Sequence, residues 1–251
     1  MKPAVLVVTL LLGQLVSCED LLGKVFSFPV FSDTAHVKLF PLKEAPLYAF
    51  TACLRFLSDT PGRSLFSLAT RNAFNALHLV KYSPGVYRVF IQDQVVNFMV
   101  AGDKPVTEWN HLCATWESAS GQAQVWVNSV GSMWKGISRG GSVGPLPSVV
   151  LGQDQDNYGG GFNIDDSFQG QISDVHLWDH VLQPCQIHGI SQGFPYLQGN
   201  VLNWRAMSYS VGGYVIVGQK LDLRPHSSCA AEKQWAREAV NTTETSMSNE
   251  I

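Results

Sequence analysis

The 251-residue chain lacks a basic cluster, a closely spaced cysteine pair, an internal repeat and any long apolar run beyond its start. Each absence removes a class of function. Its 17 Lys and Arg are scattered among 20 Asp and Glu, for a net charge of −3, so nothing concentrates enough cation to displace counterions from nucleic acid. After the N-terminus no apolar run approaches the ~20 residues of a transmembrane helix. Past Cys18, the cysteines Cys53, Cys113, Cys185 and Cys229 are spaced too widely for paired C-x₂-C zinc motifs. No Ser-His-Asp or Cys-His spacing signals nucleophilic catalysis.

What is present begins with a targeting segment. Met1-Lys2 supplies a positive start, Ala4 to Leu12 an apolar run and Val16-Ser17-Cys18 small residues for cleavage. That pattern is a secretory signal peptide over residues 1–18, with Ser17 as an alternative cut. Secretion places the four remaining cysteines in an oxidising compartment, where disulfides are expected. Four cysteines allow three pairings, and the sequence alone does not choose among them. About 230 residues remain, enough for one large all-β domain or two small ones.

Short segments of β character recur between Gly, Pro, Asn and Ser turns: Val25–Pro29, Ala49–Phe56, Leu77–Lys81, Tyr87–Ile91, His111–Trp116, Ala123–Val127, Ser148–Gly152 and Gly170–Trp178. Many short strands of this kind predict an antiparallel sandwich. In Gln124-Val125-Trp126-Val127-Asn128 polar and apolar residues alternate, as in a sheet with one wet face. One helix is expected from about Leu182-Gln183-Pro184 to Gly193, with Pro184 at an early helical position. Gly189 within it costs about 1 kcal/mol relative to Ala, so packing must hold that helix. After about Lys220 the composition turns to Glu, Ser and Thr, and residues 221–251 read as a flexible extension. Asn241-Thr242-Thr243 within it is an N-glycosylation acceptor.

The densest chemistry lies between Leu151 and Phe168. Asp154, Asp156, Asp165 and Asp166, with Gln155, Asn157 and Asn163, surround three consecutive glycines. Ca²⁺ takes six to eight oxygens from carboxylates, amides and main-chain carbonyls, and this segment supplies all three kinds. Asp-, Asn- and Gly-rich loops also arise as solvated turns, so local composition is suggestive rather than decisive.

Longer motifs carry a resemblance. His111-Leu-Cys113-Ala-Thr115-Trp116 follows a His-x-Cys-x-Ser/Thr-Trp pattern, and Leu151-Gly-Gln-Asp-Gln-Asp156, Tyr158-Gly-Gly160 and Phe168-x-Gly170 follow a calcium-loop pattern. Trp178-Asp179 and Asn200-Val-Leu-Asn-Trp204 continue it, so the similarity runs from about Leu22 to Gly218. The chain resembles the pentraxins, in the short form that includes C-reactive protein and serum amyloid P component. The resemblance implies a flattened antiparallel jelly-roll β-sandwich over residues 19–220 and a disc-like homo-oligomer, usually a pentamer. It further implies an innate-immune, acute-phase role in which Ca²⁺ mediates binding of phosphocholine, phosphoethanolamine or carbohydrate, with complement or immune receptors as further partners.

Site residues follow from the same resemblance. Cys53 and Cys113 pair, closing a loop of about 60 residues worth roughly 4 kcal/mol. Cys185 and Cys229 bridge to each other or link subunits. One or two Ca²⁺ ions are held by Asn75, Asp154, the main-chain carbonyl of Gln155, Asp156, Asn163 and Asp166. Val80 and Phe90 line a ligand pocket beside the ions, or else belong to the core. There are departures from the family pattern. Phe74 stands where an acidic ligand is usual, and Asp154 replaces a Glu, shortening the reach by roughly 1.5 Å. The site near Asn75 is therefore expected to be weaker than the one near Asp166.

Blander roles are expected elsewhere. His111 reads as structural, His176 and His180 as separate rather than a metal pair, and Asp174 and Asp179 as surface or strand-end residues. Trp116, Trp126 and Trp178 read as packing. Glycoside hydrolysis needs two carboxyl groups about 5–9.5 Å apart across a bond; the loop lacks the usual Glu pair, and no enzyme is expected. The alternative to a binding protein is an oligomer of structural or carrier role whose calcium binding has weakened.

Overall fold

The computed structural model describes residues 18–60 and 63–220. Its strands, in chain order, are β1 (Cys18–Glu19), β2 (Lys24–Phe28), β3 (His36–Phe40), β4 (Ala49–Leu57), β5 (Arg63–Ala69), β6 (Leu77–Ser83), β7 (Val86–Ile91) and β8 (Gln94–Met99). They continue with β9 (Asn110–Glu117), β10 (Gln122–Val127), β11 (Val130–Gly131), β12 (Lys135–Gly136), β13 (Ser148–Leu151), β14 (Gly170–Trp178), β15 (Met207–Gly212) and β16 (Ile216–Gln219). One sheet has the order β1-β15-β3-β13-β5-β6-β7-β8, and the other β11-β10-β9-β4-β14-β2-β16, with β12 also on β10. All pairings are antiparallel. This is the all-β sandwich expected, and each of the eight expected strands is present.

Both sheets feed one apolar interior. Val37, Phe66, Leu79 and Val149 come from the first, and Phe26, Phe50, Leu112 and Trp116 from the second. Trp116 and Trp178 are buried and Trp126 packs against the cluster that holds Trp178, as expected of structural aromatics. Cys53 and Cys113 face each other directly across β4 and β9 and form a disulfide. Beside it Trp178, Leu182, Ile187 and Ile190 form a second cluster, which seats α1 (Pro184–Ser191).

The helix begins as its sequence directs. Pro184 occupies the first turn, and Gln183 forms a capping box with Gln186. At the far end Arg55 Nη2 donates to the Ile190 and Ser191 carbonyls at 3.1 and 2.8 Å, satisfying groups that the helix leaves open. A Cβ on Gly189 would lie 2.8 Å from the Phe194 ring. Close packing thus explains a residue that helix propensity disfavours.

Eight strands were not among the expected ones: the two-residue β1, β11 and β12, and the longer β3, β5, β8, β15 and β16. Strand β5 matters most. Its Ser64 and Ser67 are buried, so it shows no alternation of wet and dry residues. β5 lies between β13 and β6, with Leu151 opposite Phe66 and Ser67 opposite His78. The acidic loop leaves β13 and settles over the outer face of this trio. Cys229 and Asn241 lie outside the described residues, and Cys185 is exposed without a disulfide partner among the described ones.

Candidate metal centre

The loop after β13 is closed at its neck. Gly152 has φ +83°, and a Cβ there would lie 2.3 Å from the Phe28 ring, so glycine is required on both counts. The Gly152 carbonyl accepts the Phe168 N–H at 2.9 Å, and Phe168 packs edge-on against Phe28 with ring centroids 5.7 Å apart. The fifteen positions between these ends are pinned from below by two buried glutamines.

Gln153 Nε2 donates to the Ala35 carbonyl at 3.0 Å. Gln155 Nε2 donates to the Ser67 and Ser148 carbonyls, each at 3.0 Å, while its Oε1 accepts the Gly159 N–H at 3.0 Å. The Gln155 side chain is therefore structural, which leaves only its main-chain oxygen as a ligand. The serines of β5 are small enough to let the loop lie this close to the sheet.

On this floor Asp154 meets β6. Its Oδ1 is buried, and no hydrogen-bond donor satisfies it among the described residues. Its nearest basic neighbour is His78 Nδ1 at 3.3 Å, and the same nitrogen lies 3.0 Å from Asn75 Oδ1. On its other side, His78 Nε2 is 2.9 Å from Ser64 Oγ, which donates to the Gln153 carbonyl at 2.8 Å.

Burial and the Asp156 charge raise the Asp154 carboxyl to about 6. Burial, with the Asp154 and Asp156 charges, also raises Asp166. For His78, burial outweighs the Asp166 and Asp156 charges and lowers the imidazole to about 4. At neutral pH the pocket thus holds carboxylates in mutual repulsion and an uncharged ring. A cation would relieve that repulsion, and the unsatisfied Asp154 oxygen fits one.

The expected residues are not all alike in the structure. Asp156 lies close enough to Asp154 and Asp166 for its charge to raise both carboxyls, and Asn75 borders them through His78. Asn163 also has a structural partner: its Oδ1 accepts the Asp165 N–H at 3.1 Å and caps the 3-10 turn Ile164–Asp166. That turn is held to β5 by Arg63, whose guanidinium donates to the Asp165 carbonyl. Val80 and Phe90 sit on the outer face of the first sheet, outside the core cluster, and Phe90 stacks on His78 with centroids 5.1 Å apart. Phe74 is exposed and brings no oxygen.

Two residues missed in the sequence complete the centre. His78 and Ser64 are 3 % and 2 % exposed. The only legible trace of His78 is a polar residue between Leu77 and Leu79 on a strand whose neighbours are apolar. Together Ser64, His78 and Asp154 form a Ser-His-Asp line that no spacing in the sequence signals. The residues are far apart in sequence, which is why spacing did not show it. Ser64 is sealed from solvent with its hydroxyl on the Gln153 carbonyl, so it presents no nucleophile to a substrate.

Other expectations resolve separately. The compact ligand cluster of Cys53, His111 and Cys113 is consumed by the disulfide. His176 is buried and accepts the Gly199 N–H at 3.2 Å, whereas exposed His180 pairs with Asp179. Asp174 is more than a surface residue: it bridges Arg55 and Lys220 at 3.3 and 2.7 Å. No helix among the described residues is long and apolar enough to cross a membrane.

Comparison with known proteins places this geometry. The Pentaxin family model matches residues 24–219. Serum amyloid P-component of Rattus norvegicus is 42% identical over 216 residues, covering 86% of this chain and 93% of that protein. Mucosal pentraxin of Bos taurus is 43% identical over 204 residues, covering 81% and 91%. The heptameric SAP-like pentraxin of Limulus polyphemus superposes with a TM-score of 0.74 at 24% identity, over 82% of this chain and 99% of that one; it shows the shared fold. Similarity that spans both sheets and the acidic loop alike is similarity of whole domains, and the chain belongs to the pentaxin (pentraxin) family.

Proposed function

We propose that the protein is a secreted, calcium-dependent recognition molecule of innate immunity that binds phosphorylated or carbohydrate groups on microbial or damaged-cell surfaces. The observation that carries this reading is the buried, unsatisfied Oδ1 of Asp154 among two further carboxylates. Asp154, Asp156, Asp166 and the Gln155 carbonyl would hold Ca²⁺, and Asn75 would reach a second ion. When bound, the ion supplies open coordination positions to an anionic or hydroxylated ligand. Val80 and Phe90, on the adjacent outer face, would border the ligand's organic portion.

Ring assembly belongs to the same proposal. Several modest sites on one rigid homo-oligomer convert weak single-site binding into avidity for arrayed surfaces. Secretion rests on the charged and apolar start of the chain. Glu19, the first residue after a cut at Cys18, pairs with Met207 in the sheet.

Capture on phosphocholine, phosphoethanolamine and agarose supports, with Ca²⁺ or EDTA, tests the reading. Retention in calcium and release by EDTA is the expected result. A second reading, an oligomer of structural or carrier role, is favoured by the oxygen lost at Phe74 and predicts no retention on any support.

A further inference from the structure

We infer that His78 Nδ1, Asn75 Oδ1 and Asp154 Oδ1 form a site for a borderline first-row cation of the zinc class, separate in chemistry from the all-oxygen calcium position that shares Asp154. The inference rests on reading this loop as cation-binding and assigns a second, softer kind of ion to it.

The argument follows the hydrogen bonds inward from Ser64. We place its hydroxyl proton toward the Gln153 carbonyl at 2.8 Å, which turns its lone pair to His78 Nε2 at 2.9 Å. Nε2 is then the protonated nitrogen of the ring. That leaves Nδ1 with a bare lone pair, directed at Asn75 Oδ1 at 3.0 Å and Asp154 Oδ1 at 3.3 Å. In this tautomer three acceptors converge with no donor among them, and Asp154 Oδ1 is unsatisfied. Such a convergence is repulsive unless a cation joins the three.

The spacing and chemistry suit zinc. Ligands 2.0–2.1 Å from a tetrahedral ion stand about 3.3 Å apart, close to the observed separations. Imidazole nitrogen favours Zn²⁺ and its neighbours, whereas Ca²⁺ selects oxygen alone. The Ser64 contact is the kind of outer partner that fixes the orientation of a metal-binding histidine.

Calorimetric titration of the calcium-free native protein with ZnCl₂, and separately with CaCl₂, tests the inference. One equivalent of Zn²⁺ should bind at least about tenfold more tightly than Ca²⁺, and Ser64→Ala should weaken zinc about 10–100-fold. His78→Gln should abolish the preference. Should that buried substitution unfold the chain, ¹⁵N NMR of the native protein serves instead: the Nδ1 resonance of His78 should shift on zinc addition. A proton found on Nδ1 with no zinc response, or zinc bound no more tightly than calcium, overturns the site. Zinc binding without calcium binding would uphold it while sinking the proposed function; calcium binding alone would do the reverse.

Discussion

His78 Nδ1 lies 3.3 Å from Asp154 Oδ1, and burial moves their proton affinities in opposite directions, the imidazole to about 4 and the carboxyl to about 6. Near pH 5 the carboxyl therefore holds the proton and the imidazole does not, the reverse of the two side chains in water. The pair turns a histidine into a neutral neighbour of the acidic loop.

Stability should record this inversion. His78, lowered from 6.5, contributes stability above its unfolded value that is lost as pH falls toward about 4. Asp154, raised from 3.8, contributes stability at low pH that is lost as pH rises through about 6. The two contributions oppose one another over the same window. In EDTA, Asp154→Asn should be more stable than the native protein at pH 7, by about 1–3 kcal/mol. It should then lose stability more steeply from pH 6.5 to 4, because the opposing contribution of Asp154 to those of His78 and His176, the latter also lowered to about 4 by burial, is gone. Urea denaturation at several pH values provides the check.

Calcium affinity should fall in acid for a related reason. An ion at Asp154 must displace the proton that this carboxyl retains up to about 6. The apparent affinity is expected to be flat above neutrality and to drop by up to about tenfold per pH unit below that value. Calorimetry in buffers of different ionisation enthalpy would count the released proton; pH-independent binding down to pH 5 would contradict the assignment.

Phe74 offers a gain-of-function test. Its side chain is 41% exposed, so replacing it should disturb the core little. Phe74→Asp places an oxygen next to Asn75 and should tighten the calcium position proposed there by about tenfold, a gain of roughly 1.4 kcal/mol. The measurement is calcium stoichiometry and affinity at matched ionic strength.

Gly152 joins the fold to the site. Gly152→Ala forces a side chain into a left-handed backbone and against the Phe28 ring, at a cost of about 1–3 kcal/mol from backbone strain alone. Thermal unfolding should show the loss. Calcium binding should weaken as well, since the neck that closes the loop on Phe168 is displaced.

The disulfide is predicted to stabilise the domain and the seat of α1 together. The double substitution Cys53→Ser and Cys113→Ser should cost about 2–5 kcal/mol, read from urea denaturation. Hydrogen exchange in Pro184–Ser191 should rise, because the bridge packs in the cluster with Trp178, Leu182 and Ile187.

Much of this molecule was legible before any coordinates. Alternation along Gln124–Val127, the turn residues between apolar runs and the proline opening α1 are short-range signals, and they located eight strands and the helix. Strand β5 escaped because its buried serines serve the loop above rather than the alternation of a wet face. Asn163 reads as a ligand from its place in a motif; only the fold shows that its amide oxygen also caps a 3-10 turn.

Local spacing thus settled which oxygen donors share the loop, since carboxylates two residues apart remain neighbours in any fold. It also set where the chain must bend, through glycines that tolerate a left-handed backbone. The strand order β13-β5-β6 decided the rest. That order brings Ser64 beneath Gln153 and His78 against Asp154, contacts between segments far apart in the chain. Pairing of distant strands depends on how both sheets bury their apolar faces together, and no window of neighbouring residues contains that information.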